Sequence, residues 1–145
     1  MFNNQDLLHI SLDDMMLRIK ERLSGRYDLV VAVGRGGTLP GYLAARYLDV
    51  PLETVLLRFR DETHAQIYAE PRVEKPLSVD VAGKRVLVTD DVANSGATLR
   101  KAVELLKGAN VTTLVISGNA DISLYGPHDR CISWPWEQAV AAQPR

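Results

Sequence analysis

Several features that mark particular classes of protein are scarce in this sequence. Cys131 is the only cysteine, which excludes an internal disulfide framework and is typical of a reducing compartment. The formal net charge is −1 and the basic residues are scattered, so no nucleic-acid surface is indicated. No apolar run is long enough to span a membrane, and the polar, acidic start does not resemble a signal peptide. We therefore expect a cytoplasmic protein with neither a nucleic acid nor a membrane as partner.

The chain is long enough, and apolar enough, for one domain with a substantial core. It has 145 residues, of which 46% are hydrophobic. Apolar, β-branched runs predict buried strands at 27–33, 51–57, 86–89 and 111–116, and a last short strand near 131–133. Helical spacing and capping residues predict helices from Leu12 to about Leu23, at 39–48 and at 99–107. Alternation of strands and helices predicts an α/β fold, with a mostly parallel twisted sheet flanked by helices on both faces.

One long segment does not follow this alternation. Residues 58–80 are polar and charged, contain Pro71 and Pro76, and have no clear helical period. In a compact domain, a long segment without regular structure is usually functional or disordered.

An acidic pair directly follows one of the predicted strands. Asp90 and Asp91 come after the run Val86–Val88, and the small, polar stretch 92–98 leads into the next helix. Carboxylates at the carboxyl end of a strand face the crevice where open α/β sheets bind ligands. The amides of a helix N-terminus, together with Ser95 and Thr98 hydroxyls, suit a phosphate. A phosphorylated sugar fits both groups, whereas ordinary helix capping would explain only one of these polar residues.

A glycine-rich turn follows an earlier strand. Gly34, Arg35, Gly36 and Gly37 come directly after the run at 27–33. Glycines allow the backbone to approach an anion closely, and successive amides can form an anion-binding concavity. By itself this turn is common in α/β folds.

The two motifs together resemble a known family. The stretch VLVTDDVANSGATL resembles the phosphoribosyl-pyrophosphate (PRPP) motif of the type I phosphoribosyltransferases, and the glycine turn matches their pyrophosphate loop in position. The stretch VVAVGRGGTLPGYLAARYLDVP and the tail Trp134-Pro135-Trp136-Glu137 are similar to the bacterial xanthine-guanine phosphoribosyltransferases. The resemblance covers about residues 27–137 and implies a single phosphoribosyltransferase domain over 1–145.

This resemblance implies a role for each motif. A nitrogen of a nucleobase, expected to be a purine, displaces pyrophosphate from C1′ of PRPP, in a salvage reaction that needs Mg²⁺. Asp90 and Asp91 hold the ribose hydroxyls, directly or through the metal, and form the catalytic group with Asn94. Residues 59–80 act as a flexible lid, residues 117–137 form a small base-binding region, and the protein is a homo-oligomer. The 5′-phosphate loop comprises Ala93, Asn94, Ser95, Gly96, Ala97 and Thr98, and the pyrophosphate loop comprises Gly34, Arg35, Gly36 and Gly37.

Three departures from the family pattern concern the nucleobase. Asn94 stands where the 6-oxopurine enzymes usually have Asp, and an amide can donate a hydrogen bond but cannot act as general acid or base. Residues 116–119 lack the family's base-recognising Lys. Alignment on the tail places Cys131, which we otherwise expect to be a small buried group, at the base-stacking position. The candidate base-binding residues are Cys131, Ile132 and Trp134, and Trp136 is expected to pack on the protein.

Two other functions fit part of the pattern. One is a regulator that binds PRPP on the same fold without turnover, which Asn94 and the missing Lys favour. The other is a receiver-like module in which Asp90 and Asp91 hold Mg²⁺ for phosphoryl chemistry. The second leaves both the Ser95–Thr98 stretch and the glycine turn unexplained.

Overall fold

Six strands form one sheet in a computed structural model that describes residues 7–58, 72–127 and 131–137. The strand order is β4-β3-β2-β5-β6-β7, and β1 and β8 form a separate two-stranded sheet. The elements are β1 Leu8–His9, α1 Leu12–Arg22, β2 Leu29–Val33, α2 Thr38–Leu48, β3 Leu52–Arg58, β4 Arg72–Lys75, β5 Arg85–Ala93, α3 Ala97–Leu105, β6 Asn110–Gly118, β7 Ile122–Ser123 and β8 Ile132–Ser133. Within the described ranges, no helix is both long and apolar enough to cross a membrane.

The predicted α/β fold with a mostly parallel sheet is confirmed. Strand β2 pairs in parallel with both β3 and β5, and β5–β6 and β6–β7 are parallel as well. The exception is β4, which is antiparallel to β3 at one edge. It lies inside the segment predicted to lack regular structure. All four of its residues are exposed, so no apolar pattern indicated a strand there.

Each face of the sheet carries its own part of the core. Successive residues of a strand point to opposite faces, so the apolar runs supply both sides. Helix α3 covers one face and helices α1 and α2 cover the other. Buried residues on the α3 face include Val31, Val33, Val86, Val88, Leu99, Ala102 and Val115. Those on the opposite face include Met15, Ile19, Val30, Ala44, Leu87, Leu114 and Ile116.

Strand β5 is longer than its apolar run. The expectation that the strand ends before Asp90 and Asp91 is wrong, because β5 continues to Ala93. Its neighbour β6 supplies partners along this extension, pairing Asp90 with Val115 and Ala93 with Gly118. The two acids therefore lie within the sheet, which restricts their backbone and limits their access to solvent.

The first and last strands of the described residues pair with each other. Strands β1 and β8 are parallel, and the Leu8 N–H donates to the Cys131 carbonyl at 2.8 Å. Cys131 itself is exposed, so the expectation of a buried thiol is wrong. At the start of α1, the Ser11 hydroxyl accepts from the Asp14 N–H at 3.1 Å, which confirms the predicted N-cap.

Candidate active site

The two predicted motifs meet at the centre of the sheet. Strands β2 and β5 are neighbours, but the chain leaves them for opposite faces, since α2 packs on one face and α3 on the other. Open α/β sheets bind ligands in the crevice outside the carboxyl ends of such a pair. The glycine turn after β2 and the 90–98 segment both lie at that point.

The glycine turn packs tightly against β5. The buried Thr89 hydroxyl donates to the Gly37 carbonyl at 2.9 Å. Gly34 has a φ of +60°, which favours glycine, and its N–H donates to the Val55 carbonyl at 2.8 Å. A Cβ added to Gly36 would lie 2.5 Å from Cγ of Asp91. The turn and the acidic pair are therefore in direct contact.

The acidic pair combines burial with close spacing. Asp90 is only 9% exposed, whereas Asp91 is half-buried. The carboxylate of Asp90 accepts from the Asp91 N–H at 2.8 Å, and that of Asp91 accepts from the Val92 N–H at 2.7 Å. Burial, followed by the charge of Asp91, raises the pKa of Asp90 to about 8. Two adjacent carboxylates in such surroundings favour a bound cation or a proton.

A small cavity lies at the N-terminus of α3. Its volume is about 80 Å³, which suits a small ionic group. Gly96, with a φ of +78°, precedes the helix, and the Ala97 N–H donates to the Ser95 hydroxyl at 3.3 Å. We call this cavity the phosphate cradle. It is lined by Asp90, Val92, Ala93, Asn94, Ser95, Gly96, Thr98 and Leu99.

The predicted base-binding residues lie elsewhere. Ile132 and Trp134 pack against the core cluster that α1 and α2 help to form. The rings of Trp134 and Trp136 stack at a centroid distance of 5.1 Å and an interplanar angle of 6°. Trp136, expected to pack on the protein, is 48% exposed. Cys131, Ile132 and Trp134 are not among the residues that line the phosphate cradle.

Two features of the site were not predicted. Gly118, with a φ of +114°, lies so close to the Ala93 backbone that a Cβ there would clash, and the Asn119 N–H donates to the Ala93 carbonyl at 3.4 Å. The Arg100 guanidinium donates to the Ser95 carbonyl at 3.0 Å. Only Gly118 had a sequence signal, since an isolated glycine at a strand end indicates a close backbone approach.

Comparisons with known proteins identify the family. Residues 2–121 match the model of the phosphoribosyl transferase domain. The chain belongs to the phosphoribosyltransferase family.

Relatives and solved structures agree with this assignment. The phosphoribosyltransferase is 28% identical over 142 residues to the xanthine-guanine phosphoribosyltransferase of Nitratidesulfovibrio vulgaris, covering 92% of this chain and 82% of that protein. It is 30% identical over 142 residues to the same-named protein of Chromohalobacter salexigens, covering 94% and 83%. The purine phosphoribosyltransferase of Pyrococcus horikoshii shares the fold, with a TM-score of 0.72, 23% identity and coverage of 91% and 95%. The protein is thus an enzyme that transfers 5-phosphoribose from PRPP to a nucleobase.

Proposed function

We propose that the nucleobase is a purine and that the reaction releases pyrophosphate in nucleotide salvage. The contact between Gly36 and Asp91 is the observation that mainly supports a site for PRPP. It brings a glycine-rich anion-binding turn, two carboxylates and a phosphate-sized cradle to one crevice. A single ligand with a pyrophosphate, vicinal hydroxyls and a 5′-phosphate would use all three. The names of the two bacterial relatives support a purine as acceptor.

The cradle would hold the 5′-phosphate. The start of α3 contributes backbone amides and the positive end of the helix dipole. Helix α3 has no acidic residue in its first turn that would oppose an anion there. The glycine turn would hold the pyrophosphate, with Arg35, which is exposed, adding positive charge.

The acidic pair fits Mg²⁺. This ion is typically bound through one or two carboxylates, with substrate oxygens and water completing its shell. Asp90 and Asp91 supply two carboxylates next to the proposed pyrophosphate turn, and the residues described here hold no group of three or more His, Cys, Asp or Glu that would form a larger metal site. When bound, the ion would contribute positive charge that stabilises the leaving pyrophosphate.

The protein's own residues would act mainly by positioning and charge. The carboxylates of Asp90 and Asp91 would accept hydrogen bonds from the ribose hydroxyls and favour positive charge at C1′ as the bond to pyrophosphate breaks. A ring nitrogen of the base would then attack C1′, and its N–H proton would pass to water or to the departing pyrophosphate. Asn94, which lines the cradle, would donate its amide N–H to an acceptor nitrogen of the purine.

The remaining parts of the site are proposed from the sequence. Cys131, Ile132 and Trp134 are the candidates for contact with the base, within a base-binding region at 117–137. Residues 59–80 are the candidate lid that excludes water, and their first part, 59–71, lies outside the described residues.

A homo-oligomer is proposed from the surface of α2. Tyr42 and Tyr47 on this helix are 53% and 41% exposed, and tyrosine is enriched at protein–protein interfaces. A cytoplasmic location is proposed from the sequence alone.

The proposal is tested by turnover with a panel of bases. Purified protein is incubated with PRPP, Mg²⁺ and one base at a time, either a purine or a pyrimidine, and pyrophosphate release is measured. We expect release with a purine, and a loss of about a thousandfold or more in Asp91→Asn. Asp28→Asn is the matched control, because exposed Asp28 also accepts a backbone N–H, from Arg85 at 2.8 Å. Turnover with pyrimidines alone would overturn the purine assignment, and PRPP binding without turnover would support the regulatory alternative.

A further inference from the structure

An arginine of α3 forms a hydrogen bond to the loop that forms the phosphate cradle. Nη1 of Arg100 donates to the carbonyl of Ser95 at 3.0 Å, five residues earlier in the chain. A Cβ added to Gly96 would lie 2.8 Å from the same nitrogen, so the guanidinium covers the glycine that precedes α3. Gly96 itself has no side chain with which to cap the helix.

Arg100 lines a groove next to the cradle rather than the cradle itself. This groove, of about 670 Å³, is also lined by Val103 and Glu104 of the same helix and by Thr113 of β6, and it shares residues 93–96 and Leu99 with the cradle. The residues that line the cradle do not include Arg100. We therefore expect Arg100 to influence a phosphate in the cradle through the loop or through long-range charge.

The direction of the Ser95 carbonyl also sets the direction of the Gly96 N–H. The Ser95 carbonyl and the Gly96 N–H belong to one planar trans peptide and point in opposite directions. Holding the carbonyl toward Arg100 therefore fixes the Gly96 N–H in a direction away from the guanidinium. The neighbouring Ala97 N–H already donates to the Ser95 hydroxyl. Of these two amides, the Gly96 N–H is therefore the one that remains for an anion, and the orientation of the Ser95–Gly96 peptide determines where it points.

We propose that Arg100 is a positioning residue that orients the Ser95–Gly96 peptide for binding of the 5′-phosphate. This inference rests on the proposed role of the cradle. It assigns Arg100 no contact with substrate, and it predicts an effect confined to ligands that carry a 5′-phosphate. Pyrophosphate, which would occupy the glycine turn at 34–37, should not depend on Arg100.

The test compares two ligands and three variants. Dissociation constants are measured by calorimetry for ribose 5-phosphate and for pyrophosphate with Mg²⁺, using the wild type, Arg100→Met, Arg100→Lys and Lys101→Met. Lys101 is the matched control for charge, because it lies on the same turn of α3 and contacts Glu104 at 3.6 Å rather than the loop. Thermal melting and the KM and kcat for PRPP are measured on the same samples.

We expect Arg100→Met to weaken the binding of ribose 5-phosphate about tenfold and to raise the KM for PRPP by a similar factor. The kcat at saturation and the affinity for pyrophosphate should stay within about twofold of the wild-type values. The dissociation constant of Arg100→Lys for ribose 5-phosphate should lie between those of Arg100→Met and the wild type. That of Lys101→Met should stay within about twofold of the wild-type value. Equal effects of Arg100→Met and Lys101→Met would show a charge effect and overturn the proposal. The proposal would also be overturned if Arg100→Met lost affinity equally for both ligands, or lost no affinity for ribose 5-phosphate. If wild-type protein binds neither ligand, the proposed cradle fails as well.

Discussion

Replacing Asp90 by Asn should stabilise the free protein while abolishing its activity. Asp90 is 9% exposed, inside β5, and its pKa is raised to about 8 by burial and by the charge of Asp91. Between the ordinary value of 3.8 and this value, the folded protein binds more protons at Asp90 than the unfolded chain does. The free energy of unfolding must therefore fall as the pH rises from about 4 to about 8. Asparagine is neutral throughout and removes this loss.

The size of the gain follows from the same linkage. A full proton difference over about four pH units corresponds to roughly 5 kcal/mol. Water entry and small rearrangements lower the cost of a buried charge, so we expect about 1–3 kcal/mol at pH 8. For a chain of this length, that corresponds to an increase in Tm of roughly 2–10 °C. Near pH 4, the two proteins should be nearly equal in stability.

The assay is denaturant unfolding and thermal melting of both proteins from pH 4 to pH 9 without Mg²⁺ or PRPP. Asp28→Asn is the control, since it removes an exposed carboxylate that also accepts a backbone N–H. We expect Asp28→Asn to give no stabilisation at pH 8. If Asp90→Asn leaves the pH dependence unchanged or lowers stability at pH 8, Asp90 is not a buried charge in the folded protein. Wild-type turnover in Asp90→Asn would contradict its proposed contact with the ribose.

Four further substitutions test other parts of the protein. Gly36→Ala should lower kcat/KM about a hundredfold, since its Cβ would displace the Asp91 carboxylate, and unchanged kinetics would contradict that contact. Asn94→Ala should weaken binding of the nucleobase by about 1–3 kcal/mol with little change in the KM for PRPP. A raised KM for PRPP with unchanged binding of the nucleobase would indicate that Asn94 contacts the phosphate instead. Trp134→Ala should raise the KM for the base about tenfold. Because Trp134 contacts the core and Trp136 is 48% exposed, Trp136→Ala should lower the Tm less than Trp134→Ala.

The sequence by itself determined the kind of fold and the order of its functional motifs. Strands β2, β5 and β6 are predictable because burial on both faces of a parallel sheet requires nearly continuous apolar runs. The glycine turn and the acidic segment are predictable because their chemistry depends on neighbours in the chain. The last short strand, predicted near 131–133, is β8 at Ile132–Ser133. Edge strand β4 and the two-residue β1 and β7 could not be predicted, because their pairing depends on contacts with distant segments.

Only the tertiary structure decided how these parts act on one another. The length of β6 carries β5 past its apolar run, and this places Asp90 inside the sheet and raises its pKa. The adjacency of β2 and β5 brings Gly36 against Asp91, although the two are far apart in the chain. The same holds for the tail, where pairing of β8 with β1 exposes Cys131 and packs Trp134 on the core. In each case burial and charge depend on distances between elements, and those distances are determined by packing of the whole chain.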